Sequence, residues 1–112
     1  MIYKIIDRAA WSQAKQIGHF QGAAIDLKDG YIHFSTAEQV QETAAKHFAN
    51  QHDLLLVAVD DLRLGETLKW ERSRGNSLFP HLYSDLPLDA VVWEKELPWC
   101  DDEQQHQFPE LE

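Results

Sequence analysis

Leu54-Leu55-Leu56-Val57-Ala58-Val59, closed by Asp60-Asp61, is the stretch that decides the fold. A strand with one wet face would alternate apolar with polar residues, and this one carries no polar side chain on either face. It therefore reads as a strand buried on both sides, at the centre of a sheet. It is also the longest purely apolar run in the chain, six residues, whereas a bilayer crossing needs roughly 20. No membrane-spanning segment is expected.

Outward from that centre, Met1 to Arg8 reads as an opening strand, with Ile2, Lys4 and Ile6 alternating against Tyr3, Ile5 and Asp7. Ala9 to Gln16 has strong helix formers, and Gly18 stands where a left-handed terminating residue is favoured. No periodicity persists from His19 to Asp29. The turn pair Asp29-Gly30 then leads into a strand, Tyr31 to Ser35. Ser35-Thr36-Ala37-Glu38 fits a reciprocal helix cap, and a helix should run from Thr36 to about Ala49, with Val40, Ala44, Ala45 and Phe48 on one stripe. Thr67 to Glu71 and Ala90 to Leu97 read as further strands. The segment between them holds Gly75, Asn76, Pro80 and Pro87 and reads as a long irregular loop, a feature uncommon in small domains without a function.

The whole is an α+β pattern with two helices. With 112 residues, 44% of them hydrophobic and 11% aromatic, the chain can bury one core and has no room for a second. The expected organisation is a single domain over residues 1–97, followed by an acidic, flexible tail at 98–112 rich in Pro, charge and Gln. The start, Met1-Ile2-Tyr3-Lys4, lacks the apolar segment of a secretory signal, so the expected location is cytoplasmic. A lone Cys100 excludes an intrachain disulfide. It has no Cys or His neighbours at zinc-site spacing, and Asp101 and Asp102 beside it disfavour a reactive thiolate.

Ten Lys and Arg against nineteen Asp and Glu give a formal charge of −9, which argues against nonspecific nucleic-acid binding. Five of the acids lie in the tail, which has no Lys or Arg, so the body is closer to neutral and can still hold a local basic pocket.

Chemistry concentrates in two places. On the strand Tyr31 to Ser35, Ile32 and Phe34 share one face, while Tyr31, His33 and Ser35 share the other. A His and a Ser two residues apart on a strand have Cβ atoms roughly 7 Å apart and can touch one ligand. The plainer alternative is that Ser35 caps the next helix and His33 is a hydrogen-bonded structural histidine. The second place is Trp70 to Tyr83. There Glu71, at a strand end beside Arg72 and Arg74, can be held ionised and aimed at developing positive charge. The two arginines can bind phosphate or carboxylate. Against this stands a solvated surface cluster in which Glu71 simply pairs with Arg72, Arg74 or Lys69. His81 follows Pro80 in a restricted dipeptide, with Tyr83 two residues on, and the alternative there is a rigid corner with Tyr83 packed inward. His19, His47, His52 and His106 show no such context. The chain has no Gly-rich phosphate loop, paired-His metal helix or nucleophile elbow.

Across these residues the chain resembles the family of uncharacterised bacterial proteins catalogued as domain of unknown function 952. The resemblance rests on Trp11, on Asp29-Gly30-Tyr31-Ile32-His33-Phe34-Ser35-Thr36 with Gln39 and Thr43, and on the apolar strand. It extends through Leu68, Trp70 and Glu71, then Leu78-Phe79-Pro80-His81-Leu82-Tyr83, then Leu88-Asp89-Ala90-Val91. It implies a fold similar to the ADP-ribosylation fold, a split mixed β-structure with short helices around a dinucleotide cleft. In ADP-ribosyltransferases a strand His or Arg holds ribose, a Ser-Thr pair steadies the neighbouring strand, and a Glu stabilises the positively charged ribosyl group. His33, Ser35-Thr36 and Glu71 are similar groups, although their order and spacing depart from those enzymes.

The resemblance thus implies a nucleotide ligand, with NAD the expected cofactor or substrate, and ADP-ribosyl transfer or NAD hydrolysis as the reaction. Glu71, His33 and His81 would be catalytic, and Ser35, Thr36, Arg72, Arg74 and Tyr83 would bind the nucleotide. A noncatalytic small-molecule or protein-interaction module using the same cleft is the alternative from a different class. A metal site of His33, His81 and Glu71 is a third reading with suitable donors, to which the 48-residue separation of its histidines adds no information.

The shared-site reading carries one geometric expectation. His33, Ser35, Glu71 and His81 should converge on one concave surface, at least two of them within about 8 Å of each other.

Overall fold

The computed structural model describes residues 1–111, the side chain of Arg74 excepted. In chain order the elements are β1 (Ile2–Asp7), α1 (Arg8–Ile17), β2 (His19–Phe20), α2 (Ala24–Asp29), β3 (Ile32–His33), α3 (Ala37–His47) and β4 (Leu54–Val59). There follow β5 (Leu68–Arg72), β6 (Leu78–Leu82), β7 (Leu86–Pro87), β8 (Val91–Leu97), β9 (Trp99–Cys100) and β10 (Gln105–His106). The α+β class stands, with three helices rather than two. The short α2 falls where no periodicity is legible, because six residues give barely a turn and a half.

The apolar strand is the centre of its sheet, order β1-β4-β8, with Ile2 opposite Val59 on one side and Leu54 opposite Leu97 on the other. Its two faces feed two cores. Leu55, Val57 and Val59 join Ile2 and Ile6 of β1, Trp11 and Ala14 of α1, Ile32 and Leu82. Leu54, Leu56 and Ala58 join Tyr3, Ile5, and Val40 and Ala44 of α3. A strand sandwiched in this way meets no water on either face, which accounts for its sequence. Helix α1 ends at Gly18, whose φ of 103° is the left-handed conformation expected there.

A second antiparallel sheet, order β3-β6-β5, carries most of the candidate chemistry. Its middle strand, β6, corrects the expectation of an irregular loop between Thr67–Glu71 and Ala90–Leu97. Pro80 is tolerated in β6 for a specific reason. In an antiparallel strand the N and C=O of one residue point to the same edge. The Pro80 carbonyl accepts from Phe34 N at 3.0 Å, so its missing donor also faces the short β3 and not the five-residue ladder with β5.

The expected flexible tail differs as well. Trp99–Cys100 and Gln105–His106 pair as a hairpin, His106 is buried with Nε2 donating to the Gln51 carbonyl at 3.1 Å, and Phe108 and Leu111 pack on the second core. The acidic composition there is a solvated outer surface over an anchored inner one. Glu112, which belongs to the same expectation, lies outside the described residues. Among the described residues, no helix is long and apolar enough to cross a membrane.

Candidate functional site

Strand parity builds the site. In the second sheet Ile32, Leu82 and Leu68 stand opposite one another and point into the first core, so their neighbours His33, His81 and Lys69 form a row on the other face. Glu71, two residues beyond Lys69, lies on that face too. Glu71 Oε1 accepts from His81 Nδ1 at 2.7 Å and from the Tyr83 hydroxyl at 2.7 Å. The Tyr31 ring packs among these groups, its centroid 4.2 Å from His81, 4.6 Å from His33 and 5.2 Å from Tyr83. The two imidazoles stand 5.6 Å apart in an edge arrangement.

Behind this face lies a buried ion pair. Lys4 Nζ reaches both oxygens of Asp26, at 3.1 and 3.0 Å. Asp26 Oδ1 also accepts from His33 N at 3.1 Å and His33 Nδ1 at 2.7 Å, and Oδ2 accepts from Ala23 N at 2.7 Å. On the solvent side His33 Nε2 meets Asp29 Oδ2 at 3.0 Å.

The charge states follow from these contacts. Burial opposes ionisation of Asp26, but the His33 hydrogen bond, the Lys4 ammonium and the two backbone N–H groups outweigh it and hold the carboxyl at about 2. Burial pushes the Lys4 ammonium down, against the pull of Asp26. Glu71 is held below the usual carboxylate range by the Tyr83 and His81 hydrogen bonds. Tyr83, donating to an ionised carboxylate, is pushed up to about 12. Tyr31 is raised by burial and then by the charges of Asp29 and Glu71. At neutral pH the face therefore presents ionised carboxylates beside neutral phenols.

Three of the four residues expected to converge do so: His33, Glu71 and His81. Ser35 does not join them. It is buried, bridges Tyr3 through paired backbone bonds, and its hydroxyl bonds to Thr43 Oγ1 at 3.0 Å. β3 ends at His33, so the alternation that would aim Ser35 beside it is lost. Nor does Ser35 cap α3: Thr36 is the capping residue, its N–H donating to Gln39 Oε1 at 3.0 Å. Thr36 lines a separate open groove of about 530 Å³ with Gln39, Gly75, Ser77 and Phe79. Arg72 has the opposite parity to Glu71, and its Nη1 donates to the Asn76 carbonyl at 3.0 Å. The Arg74 side chain lies outside the described residues. Tyr83 is in place, with its hydroxyl on Glu71.

Five neighbours were not singled out from the sequence as site residues, among them Asp29, named there only as a turn residue. Lys69 and Tyr31 could have been found from parity alone. Lys4 could have been found as a cation between Ile2 and Ile6 on an apolar face, which requires a counter-ion. Asp26 had no legible signal. No three His, Cys, Asp or Glu side chains gather at metal-binding distance among the described residues.

Comparisons with known proteins agree on the fold. The crystal structure of protein CC0527 from Caulobacter crescentus is 52% identical, with a TM-score of 0.90 over 95% of this chain and 92% of that one. The solution NMR structure of CC0527 is 53% identical, with a TM-score of 0.81 over 90% and 87%. No curated protein matches the chain. The sequence profile described as protein of unknown function DUF952 matches residues 5–94, and the chain belongs to that family.

Proposed function

We propose that the face formed by Tyr31, His33, Lys69, Glu71, His81 and Tyr83 binds a nucleotide and acts in NAD-dependent ADP-ribosyl transfer or NAD hydrolysis, with the cytoplasm as its setting. The observation that carries this reading is Glu71, a surface carboxylate held ionised by two donors and flanked by aromatic rings. When the bond between ribose C1′ and the nicotinamide nitrogen breaks, its electron pair leaves with the ring. The pyridinium becomes neutral and positive charge develops on the ribosyl carbon. A fixed anion beside that carbon lowers the barrier. The departing ring needs no proton, so a neutral Tyr83 that ionises only near 12 does not hinder the step. The new bond forms from C1′ to the oxygen of water or an acceptor hydroxyl, whose proton passes to solvent.

The side chains fit unequally. His33 suits ribose hydroxyls. Lys69, on the same face as Glu71, takes over the phosphate role expected of Arg72, which points away. Incubation with NAD should release nicotinamide at a rate that Glu71→Gln abolishes. No release above that variant would sink the enzyme reading.

A noncatalytic binding module is favoured by a different observation: His33 already sits between two carboxylates, and Glu71 already accepts two hydrogen bonds. That reading predicts binding without turnover. In a thermal-shift panel of nucleotides, nucleosides and sugars, a ligand at 100 times its dissociation constant stabilises by about 2.7 kcal/mol.

A further inference from the structure

Asp26 stands at the centre of a buried support that contacts His33 of the candidate face. Its side chain is 1% exposed and it belongs to α2, not to the sheet. The approach of α2 depends on Gly22, whose φ is 123° and where a Cβ would lie 2.9 Å from the Asp26 Cβ. A carboxylate this deep is admissible because Lys4 neutralises it and backbone N–H groups of Ala23 and His33 fill its remaining acceptor sites.

His33 is therefore gripped at its inner nitrogen by a buried, ionised acceptor and touched at its outer one by Asp29, whose side chain is 35% exposed. Whenever the ring carries one proton, the two carboxylates compete for it. The inner bond is shorter, 2.7 against 3.0 Å, and is shielded from water, while the outer is screened. We propose that Asp26 is the positioning residue of this site: it fixes His33 with Nδ1 protonated and turned inward, so that in the neutral ring Nε2 is an unprotonated acceptor offered to a ligand, and Asp29 partners Nε2 only when that nitrogen carries a proton. Lys4 acts one step further back, by keeping Asp26 ionised. The inference rests on the proposed function only in taking His33 as a ligand-contacting residue; the tautomer itself does not depend on which reaction occurs.

Long-range proton–nitrogen NMR of the imidazoles in the full chain, at alkaline pH where the rings are neutral, reads this directly. The expected result for the unsubstituted protein is His33 protonated at Nδ1. In the double variant Lys4→Met with Asp26→Leu, which removes acceptor and cation together and leaves no uncompensated buried charge, the proton should move to Nε2, where Asp29 accepts it. An Nε2-protonated His33 in the unsubstituted protein would overturn the proposal without any variant. So would an unchanged Nδ1 proton in a double variant that keeps the dispersed spectrum of the fold. Nicotinamide release measured on the same samples separates the two claims. Its absence from the unsubstituted protein counts against NAD chemistry and leaves the tautomer result standing.

Discussion

Tyr83 donates its hydroxyl to the same Glu71 oxygen that accepts from His81 Nδ1, each bond 2.7 Å long. Two donors on one oxygen of an ionised carboxylate raise the cost of ionising the phenol and lower that of ionising the acid. Removing the charge should reverse the first effect. Glu71→Gln is expected to bring the Tyr83 ionisation down from about 12 towards the ordinary 10.0, read by ultraviolet difference absorbance. An unchanged titration would mean that Glu71 does not hold Tyr83 in solution.

The Lys4–Asp26 pair makes an acid-stability prediction. Asp26 is depressed in the fold from 3.8 to about 2, so the folded state binds fewer protons than the unfolded one in that interval. Its contribution is complete above the unfolded value and is lost as pH falls through the folded one. That contribution is on the order of 2 kcal/mol. Denaturant midpoints followed down through this window should fall more steeply for the unsubstituted protein than for Lys4→Met/Asp26→Leu, which has no such carboxyl.

Removing one partner alone is worse than removing both. Asp26→Leu by itself strands the buried ammonium and should cost about 3–5 kcal/mol, and adding Lys4→Met should recover part of that. Chemical denaturation of the two variants measures the difference. Equal stabilities would show that Lys4 carries no penalty once Asp26 is removed and would contradict this prediction.

Leu54 to Val59 is legible as a doubly buried strand because its environment is written in six consecutive side chains; β1 is legible from alternation, α3 from a helical stripe, and α1 from its helix formers and the terminating Gly18. The second sheet was harder. Pro80 and the turn residues around it hide β6, whose compatibility with a central strand depends on which edge its missing donor faces, and that is a tertiary fact. The site residues on regular strands, His33 and Glu71, were legible. Parity applied consistently would also have preferred Lys69 to Arg72. Ser35 misled because β3 stops at its histidine pair, and Asp26 was invisible because its side-chain partners are 22 and 7 residues away. In the segment after Leu97 the apolar residues Trp99, Phe108 and Leu111 are diluted by acids and glutamines, so composition alone does not reveal the hairpin.

That segment yields a truncation test. Ending the chain at Leu97 uncovers the side of α3 that Phe108 and the hairpin cover. Burying one such aromatic side chain contributes about 1.5–3 kcal/mol. Phe108 is half-buried, so the truncated protein should lose stability on that order by urea denaturation. A truncation with an unchanged midpoint would show that the hairpin does not anchor.

If the Tyr31–His33–His81–Glu71–Tyr83 face binds the nucleotide, NAD must perturb it. Backbone amide NMR during titration with NAD tests it most directly. Shifts should concentrate at Tyr31, His33, Lys69, Glu71, His81 and Tyr83 and be weakened by His33→Ala. Shifts confined to the Thr36–Ser77 groove or to the C-terminal hairpin, or no shifts at all, would contradict it.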